Sequence, residues 1–241
     1  MQAIEVLQDR SPASDDILSG YPLPSDIRSA VYPTKLSNGQ TRVARLSRGA
    51  FHDPIECSVE VISIRGDIHY EALSWYWGKI NPATDPFITI SGFRFQIPAN
   101  LEPALRCLRL PNEDRIVWCD AIAINQVDAS EKAMQVACMG EIYREAAGVL
   151  VWLGEADNDS RLAIDTINRF VEKLKFKGAG VRSLEEFEQN RPALDADLPQ
   201  LRDWLREKQF FPGNSPFDPQ PWAACSRLLR RPWFHRLWVR D

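Results

Sequence analysis

The apolar positions of the chain fall into short runs and spaced repeats that predict alternating strands and helices. IVWC at 116–119 and VLVWL at 149–153 are apolar throughout and too short for helices. Runs of this kind are typical of strands that are covered on both faces. A helix is predicted over 101–108, with Asn100 as its N-cap, because apolar residues recur there at helical spacing.

Four earlier segments also have strand-like patterns. TRVARLS at 41–47 and IECSVEVISI at 55–64 alternate as half-buried strands do, and YEALSWYWG at 70–78 is an aromatic strand that ends on glycine. PFITISGFRFQI at 86–97 predicts a β-hairpin that turns at Ser91 and Gly92.

Between the two covered strands, the polar pattern marks the ends of one helix. Asp128 followed by Glu131 matches an N-terminal capping box, and Gly148 fits the left-handed position just past a helix end. The intervening helix has no clean polar face, so we expect it to pack on more than one side.

Composition divides the chain into a lead-in, one domain and an insertion. Residues 1–40 are rich in Ser, Pro, Asp and Gly and are expected to be a poorly ordered lead-in. Residues 41–241 are expected to form the domain. Within it, 155–220 is predicted to be a helical insertion that opens with an amphipathic helix at 159–175.

Strand, helix, strand, helix and strand follow one another from Tyr70 to Leu153. This order predicts an α/β fold with a doubly wound, mostly parallel sheet, to which the N-terminal segments add extra β elements. Ligands of such sheets bind beyond the carboxyl ends of the strands. The candidate site residues that follow the first two strands there are Ser74, Trp77, Gly78, Asp120, Asn125 and Gln126.

Each of these candidates also has a purely structural interpretation, and both stay open. Asp120 either faces a ligand or caps the turn after its strand. Asn125 and Gln126 either line a site or satisfy backbone donors ahead of the next helix. Ser74 lacks the GxSxG setting of an activated serine, which disfavours a nucleophile. The arginines between 227 and 240 either contact a phosphate or complement a helix C-terminus.

Composition and charge exclude several classes of protein. The chain has 241 residues, 44% of them hydrophobic and 26% charged, as in a soluble globular protein. Its net charge of −4 disfavours nucleic acid as a partner, and no apolar run is long enough to span a membrane. The five scattered cysteines indicate a reducing, cytoplasmic location. No metal-type spacing joins the histidines, so no metal is expected. Neither GxGxxG nor GxxxxGK[ST] occurs, and no resident cofactor is expected.

Four motifs in order resemble the fungal heterokaryon-incompatibility (HET) domain. They are YEALSWYWG, ANLEPALRCLR, WCDAIAINQVDASEKAMQVACMGEIYREAAGVLVWLG and RLLRRPWFHRLWV, and they cover 70–241. The segment 42–63 is similar to the one that precedes this domain. The resemblance implies a role in fungal non-self recognition, a form of innate immunity in which activation leads to programmed cell death.

HET domains have been proposed as distant relatives of Toll/interleukin-1 receptor (TIR) domains, which have a flavodoxin-like sheet. Some TIR domains assemble into signalling scaffolds, and others hydrolyse NAD through a glutamate placed soon after a tryptophan. The HET ending W-V-x-Q-E is similar to that pair. The resemblance therefore implies a nucleotide pocket for NAD as ligand or substrate, with Arg236 on a phosphate and Trp238 as the tryptophan.

The sequence departs from the family pattern at its last residue. Trp238 and Val239 match, but Asp241 stands where the family has Gln, and no residue follows at the glutamate position. Asp241 is the weak candidate for a catalytic carboxylate. We expect the C-terminal end to be truncated and NAD hydrolysis to be impaired, because a carboxylate near the breaking bond would stabilise the developing positive charge.

Two classes of function remain open at this point. In one, the protein is a TIR-like NAD glycohydrolase or nucleotide-binding domain, inactive as this chain stands. In the other, it is a non-enzymatic interaction module whose self-association or protein partners trigger cell death. No membrane contact is expected in either case.

Overall fold

The computed structural model describes residues 24–176 and 220–235. The chain divides into two compact units, Met1–Gly154 and Glu155–Asp241. The division falls at the start of the predicted insertion, whose residues 177–219 lie outside the described residues. None of the described helices combines the length and the hydropathy that a membrane span requires.

The first unit contains four helices and seven strands among its described residues. The helices are α1 (Ser25–Val31), α2 (Leu101–Leu108), α3 (Asp120–Ala123) and α4 (Ala129–Glu145). The strands are β1 (Gln40–Leu46), β2 (Glu56–Ser63), β3 (Glu71–Trp75), β4 (Phe87–Ile90), β5 (Phe93–Gln96), β6 (Arg115–Trp118) and β7 (Gly148–Trp152).

All seven strands join one sheet in the order β5-β4-β2-β1-β6-β3-β7. β6, β3 and β7 are parallel neighbours, with Ala72 opposite Trp118 on one side and Trp75 opposite Trp152 on the other. β2 and β4 are also parallel, whereas β1 pairs antiparallel with both of its neighbours and β4 pairs antiparallel with β5. The predicted α/β fold is thus confirmed, and its parallel core carries an added mixed region formed by β1, β2, β4 and β5.

The two crossover connections place helices on opposite faces of the sheet. β3 leads through α2 to β6 on one side, and β6 leads through α4 past β3 to β7 on the other. Connections of the same hand that run in opposite directions must lie on opposite faces. One core, which includes Leu73 and Leu105, accordingly holds α2, and the other, which includes Ala72 and Ile142, holds α4. In a doubly wound sheet of this strand order the switch point lies between β3 and β7, and the carboxyl end of β3 borders it.

Part of the expected lead-in belongs to the core. Residues 24–40 were expected to be poorly ordered, yet they contain α1, and Val31 and Tyr32 are buried in the α2 side of the core. The Tyr32 hydroxyl donates to the carbonyl of Ile122 at 3.0 Å. Ser and Pro are frequent in this segment, but a few apolar side chains suffice to attach it.

The predicted hairpin and one of the predicted helix caps are confirmed. Ser91 and Gly92 both have positive φ, 50° and 84°, as a two-residue turn of type I′ requires. The Asp128 carboxylate accepts from the backbone N–H groups of Ser130 and Glu131. The Glu131 side chain does not complete the box, because it points to a buried arginine instead.

Two local predictions were wrong, and a third was confirmed only in position. Asn100 is the N-cap residue of α2, but its side chain makes no capping hydrogen bond; its amide donates to the carbonyl of Tyr76 at 3.3 Å. Gly148 is not in a left-handed conformation, because α4 ends earlier, at Glu145, and Gly148 is the first residue of β7. β7 is also not covered on both faces: as the last strand of the sheet it leaves Val149 and Val151 exposed at 50% and 47%.

The described part of the second unit is a helix pair. α5 (Ser160–Phe176) matches the predicted amphipathic helix, α6 (Gln220–Leu229) is the second helix, and a 3-10 turn follows at Pro232–His235. Ala163 and Cys225 are buried between them, with the thiol 3.7 Å from the carbonyl of Ala163.

Candidate functional site

The carboxyl ends of β6 and β3 bring an acidic and an aromatic group together. β6 ends at Trp118, and α3 begins two residues later with Asp120, whose side chain is only 9% exposed. β3 ends at Trp75, so the segment that follows it lies beside α3 at the same edge of the parallel strands. This is the edge at which the sequence predicts a ligand site.

Two indole N–H groups donate hydrogen bonds to the Asp120 carboxylate. Oδ1 accepts from Nε1 of Trp75 at 2.8 Å and from the backbone N–H of Ala121 at 2.9 Å. Oδ2 accepts from Nε1 of Trp77 at 2.8 Å. The two indole rings are stacked, with centroids 5.2 Å apart and planes 22° from parallel. Hydrogen bonds of this kind satisfy a buried carboxylate, and Asp120 therefore also orders the turn around it.

The turn after β3 depends on Gly78. Its φ of +73° lies in the left-handed region, and a Cβ there would stand 2.5 Å from the amide nitrogen of Asn100. That amide binds the carbonyl of Tyr76, so the glycine lets α2 hold the segment that carries Trp77. The structure thus gives Gly78 a role in positioning Trp77.

The Gln126 side chain contacts the same cluster, and Asn125 lies on the buried side of it. The Gln126 side chain donates through Nε2 to the backbone carbonyl of Asp120 at 2.8 Å. The backbone N–H of Asn125 donates to Glu131 at 2.8 Å, while its Oδ1 is buried with no hydrogen-bond partner among the described residues. The Gln126 side chain therefore satisfies a backbone acceptor. The structural interpretation of the sequence had expected it to satisfy a backbone donor.

Ser74 is not brought onto the carboxylate. Side chains alternate along a strand, so Ser74 lies on the opposite face of β3 from Trp75. Its neighbour across the ladder is Val151. Of the predicted site residues in the described segments, Asp120, Trp77 and Gln126 contact one another directly or through the Asp120 backbone, and Gly78 supports them.

A buried ion pair beneath this turn was not predicted from the sequence. Arg42, 1% exposed, binds Glu131 through two hydrogen bonds, of 2.6 and 3.1 Å. Its guanidinium also donates to the carbonyls of Ala123 and Thr34 and lies 4.9 Å from the centre of the Tyr32 ring. The available signal was the position of Arg42 in β1, where alternation places it with Ala44 and Leu46 on a core face. A charge there requires a buried partner.

The buried thiols and phenol near the turn stay protonated. Burial raises the pKa of Cys119 well above its ordinary value, and the charge of Asp120 adds to this. Burial also raises the pKa of Cys57 to about 12. Burial likewise raises the pKa of Tyr32, although the nearby Arg42 lowers it in part. A thiol with a raised pKa is a poor nucleophile at neutral pH, so the structure offers no activated cysteine among these groups.

The C-terminal candidates Arg236, Trp238 and Asp241 lie outside the described residues. Three arginines of the basic cluster are described, and two of them form ion pairs within the second unit: Arg227 pairs with Asp159, and Arg231 is 3.0 Å from Asp157. Arg231 and Ser160 lower the pKa of Asp157, with the serine hydrogen bond as the larger cause. Within 24–176 and 220–235, no group of three His, Cys, Asp or Glu side chains is placed to hold a metal ion.

Comparison with known proteins agrees with the motifs. The family described as heterokaryon incompatibility protein (HET) matches residues 70–240. The chain is similar to heterokaryon incompatibility protein 6, OR allele, of Neurospora crassa, with 28% identity over 227 residues. That match covers 85% of this chain but only 32% of the Neurospora protein. No solved structure gives a significant match.

Proposed function

Since the chain belongs to the heterokaryon incompatibility (HET) family, we propose that it acts in fungal non-self recognition and signals programmed cell death. The family match over residues 70–240 supports this role. The similarity to a Neurospora protein named for heterokaryon incompatibility also supports it, although the chain spans about a third of that protein's length.

The proposed biochemical basis is a TIR-like site that binds NAD or a related nucleotide at the carboxyl ends of β3 and β6. The observation that carries it is the stacked indole pair beside a buried carboxylate. Trp75 is fully buried, whereas Trp77 keeps part of its surface accessible. A nicotinamide or adenine ring stacked on Trp77 would gain about 1–3 kcal/mol from base–aromatic contact.

The remaining site residues have distinct proposed roles. Gln126 uses its Nε2 on the Asp120 backbone, which leaves Oε1 as an acceptor for a ribose hydroxyl or an amide. Asp120 holds both indoles in place and contributes negative charge near a developing cation. For Arg236 as a phosphate contact and Trp238 as the tryptophan of the family ending, the support is the resemblance of the closing motif, since both lie outside the described residues. Asp241 is the candidate carboxylate for cleavage of the nicotinamide–ribose bond.

Calorimetric titration of NAD into the purified chain tests binding. We expect Gln126→Ala and Asp120→Asn to weaken NAD binding at least tenfold, because the first removes an acceptor and the second loosens the indole pair. Asp67→Asn is the matched control for Asp120→Asn, since it makes the same change at an exposed position. Unchanged affinity in Gln126→Ala and Asp120→Asn, with the fold intact by circular dichroism, would contradict a nucleotide site here.

Chromatographic measurement of nicotinamide release separates binding from turnover. Release by the chain that is lost in Asp241→Asn would make Asp241 catalytic. Binding without release would support a nucleotide-sensing domain in which ligand occupancy, and not cleavage, changes the signalling state.

Self-association is a second candidate function, supported by β7, which is an edge strand among the described strands. β7 ends the strand order and exposes Val149 and Val151, and an apolar edge strand is a template for pairing with another strand. Two copies could pair β7 edge to edge. We expect sedimentation to show concentration-dependent dimers that Val151→Lys abolishes. Val61→Lys is the control, since Val61 is 39% exposed on β2, an interior strand of the sheet.

A further inference from the structure

A cleft lies at the far edge of the sheet from the strand-end site. It has a volume of about 370 Å³ and is formed by the β4–β5 hairpin, α2 and the segment before β2. Clefts of a few hundred Å³ are at the small end of the range for ligand sites. Its lining residues are Pro54, Ile55, Phe87, Ile88, Thr89, Gly92, Arg94, Glu102 and Arg106, none of which belongs to the Asp120 cluster.

One part of the lining is apolar. Ile55 and Ile88 line the inner end of the cleft but are only 3% and 4% exposed, whereas Pro54 and Phe87 are exposed. Phe87 is 45% exposed and lies on the same face of the hairpin as Thr89 and Arg94. An aromatic ring left this open in a cleft favours a ligand with a flat or apolar body.

Arg94 supplies a cation beside Phe87. It lies diagonally across the hairpin ladder from Phe87, and its guanidinium carbon is 3.8 Å from the centre of that ring. Stacking uses the face of a guanidinium and leaves its in-plane N–H groups as donors. No carboxylate in the described part of the chain pairs with Arg94. An arginine oriented by a ring in this way can bind a carboxylate or phosphate with two parallel hydrogen bonds.

The opposite wall is held rigid by two further arginines. Arg106 binds Glu102 and donates to the carbonyls of Phe51 and Asp53 at 2.8 and 3.0 Å. Arg109, which is buried, donates to the carbonyls of Pro54 and Asp53 at 2.7 and 2.9 Å. These bonds fix the segment from 50 to 54 before any ligand arrives, and a preformed wall lowers the ordering cost of binding.

We propose that this cleft binds a small organic anion in which one carboxylate or phosphate group is joined to an aromatic or apolar body. Among the lining residues, the charge of Glu102 balances that of Arg106. The charge of Arg94 then gives the cleft a net charge of +1. The exposed Phe87 and Pro54 contact the apolar body, Arg94 takes the anionic group and the Thr89 hydroxyl adds a donor. A single available guanidinium suits one anionic group and not a polyanion.

Amide chemical-shift titration with four probes tests the proposal. The probes are 3-phenylpropanoate, phenyl phosphate, benzyl alcohol as the neutral counterpart, and inorganic phosphate. We expect the first two to shift the amides of Thr89, Gly92 and Arg106 with saturation below about 10 mM, and the last two to bind at least tenfold more weakly. Tighter binding of one aromatic anion identifies its group, carboxylate or phosphate, as the natural one.

Arg94→Gln should weaken both aromatic anions at least tenfold without changing benzyl alcohol binding. Arg144→Gln makes the same charge change on an exposed position of α4 and should leave all four affinities unchanged. Equal binding of benzyl alcohol and the anions would overturn the anion assignment. An absence of saturable shifts in these amides, in chain that is folded by its amide spectrum, would overturn the site.

Discussion

Two buried carboxylates flank the turn between β6 and α4, and they are held in different ways. Glu131 forms a bidentate ion pair with Arg42, whose other partners are carbonyls from two separate segments. Asp120 accepts from two indole N–H groups, one of which belongs to the partly accessible Trp77. The first carboxylate is thus enclosed, whereas the second is connected to the surface through its partner. The candidate site at Asp120 therefore differs from the Arg42–Glu131 pair in the accessibility of the carboxylate's partner, and not in the presence of a carboxylate.

Removal of Arg42 should have the largest effect on stability. Arg42→Met leaves Glu131 as an unpaired charge in the interior, which should lower the free energy of unfolding by about 3–5 kcal/mol. The measurement is urea denaturation followed by tryptophan fluorescence. The double variant Arg42→Met with Glu131→Met should recover most of that loss, because the cost arises from the uncompensated charge. A loss below about 1 kcal/mol in the single variant would show that Glu131 reaches solvent.

Asp120→Asn probes the second carboxylate with a smaller change. The amide keeps one oxygen but turns an NH₂ toward one of the indole N–H groups, so we expect a loss of about 1–3 kcal/mol in unfolding free energy. Asp67→Asn is the matched control on an exposed position and should have no measurable effect. If Asp120→Asn is as costly as Arg42→Met, the two carboxylates are equally enclosed and the contrast fails.

Gly78→Ala tests how the site is positioned. A left-handed φ costs a residue with a Cβ about 1–2 kcal/mol, and the Asn100 amide stands in the way of that Cβ. We expect this loss of stability and a change in the near-ultraviolet circular dichroism of the stacked indoles. Combining it with Asn100→Ala should remove the contact but keep the φ cost, so a full rescue would contradict a left-handed turn.

High pH should lower the free energy of unfolding by a smaller amount than these substitutions. Because Cys119 has a raised pKa in the fold, the unfolded chain loses this proton near the ordinary value of 9.0 while the folded chain retains it. Stability is therefore complete below about pH 8 and falls as pH rises, by about 0.8 kcal/mol per such thiol at pH 9.5. Urea denaturation between pH 8 and 10 should show a shallower fall in Cys119→Ala. An identical slope would mean that Cys119 titrates normally.

Local signals in the sequence predicted most elements and some of their ends. The apolar run at β6, the Ser91-Gly92 turn and the Asp128 cap depend on neighbouring residues, and each was visible in a short window. The same window misplaced Gly148 and gave the Asn100 side chain the wrong partner, because both depend on how β7 and α2 dock. The exposure of Val151 follows from the position of β7 at the sheet edge, which a run of apolar letters does not contain.

The candidate site was predictable only in part for the same reason. Strand ends pointed to Asp120 and Gln126, and the structure places both there. The bond from Trp77 to Asp120 joins residues 43 positions apart, and the pair of Arg42 with Glu131 joins residues 89 positions apart. Contacts at such separations leave no periodic trace in the sequence. A charged residue at a core-facing strand position, as at Arg42, was the one sign that a distant partner existed.

The large sequence separation between Arg42 and Glu131 also affects how the protein folds during its synthesis. Arg42 leaves the ribosome well before Glu131 is made, and until then its charge has no internal partner and stays hydrated. β1 therefore cannot seal its core face during early elongation, whatever it forms with β2. The parallel strands likewise wait for β7, which ends at Trp152. The first unit becomes able to complete its core only after β7 has left the ribosome, when translation is past the boundary at Gly154, so stalling before that point would leave an open, chaperone-dependent chain.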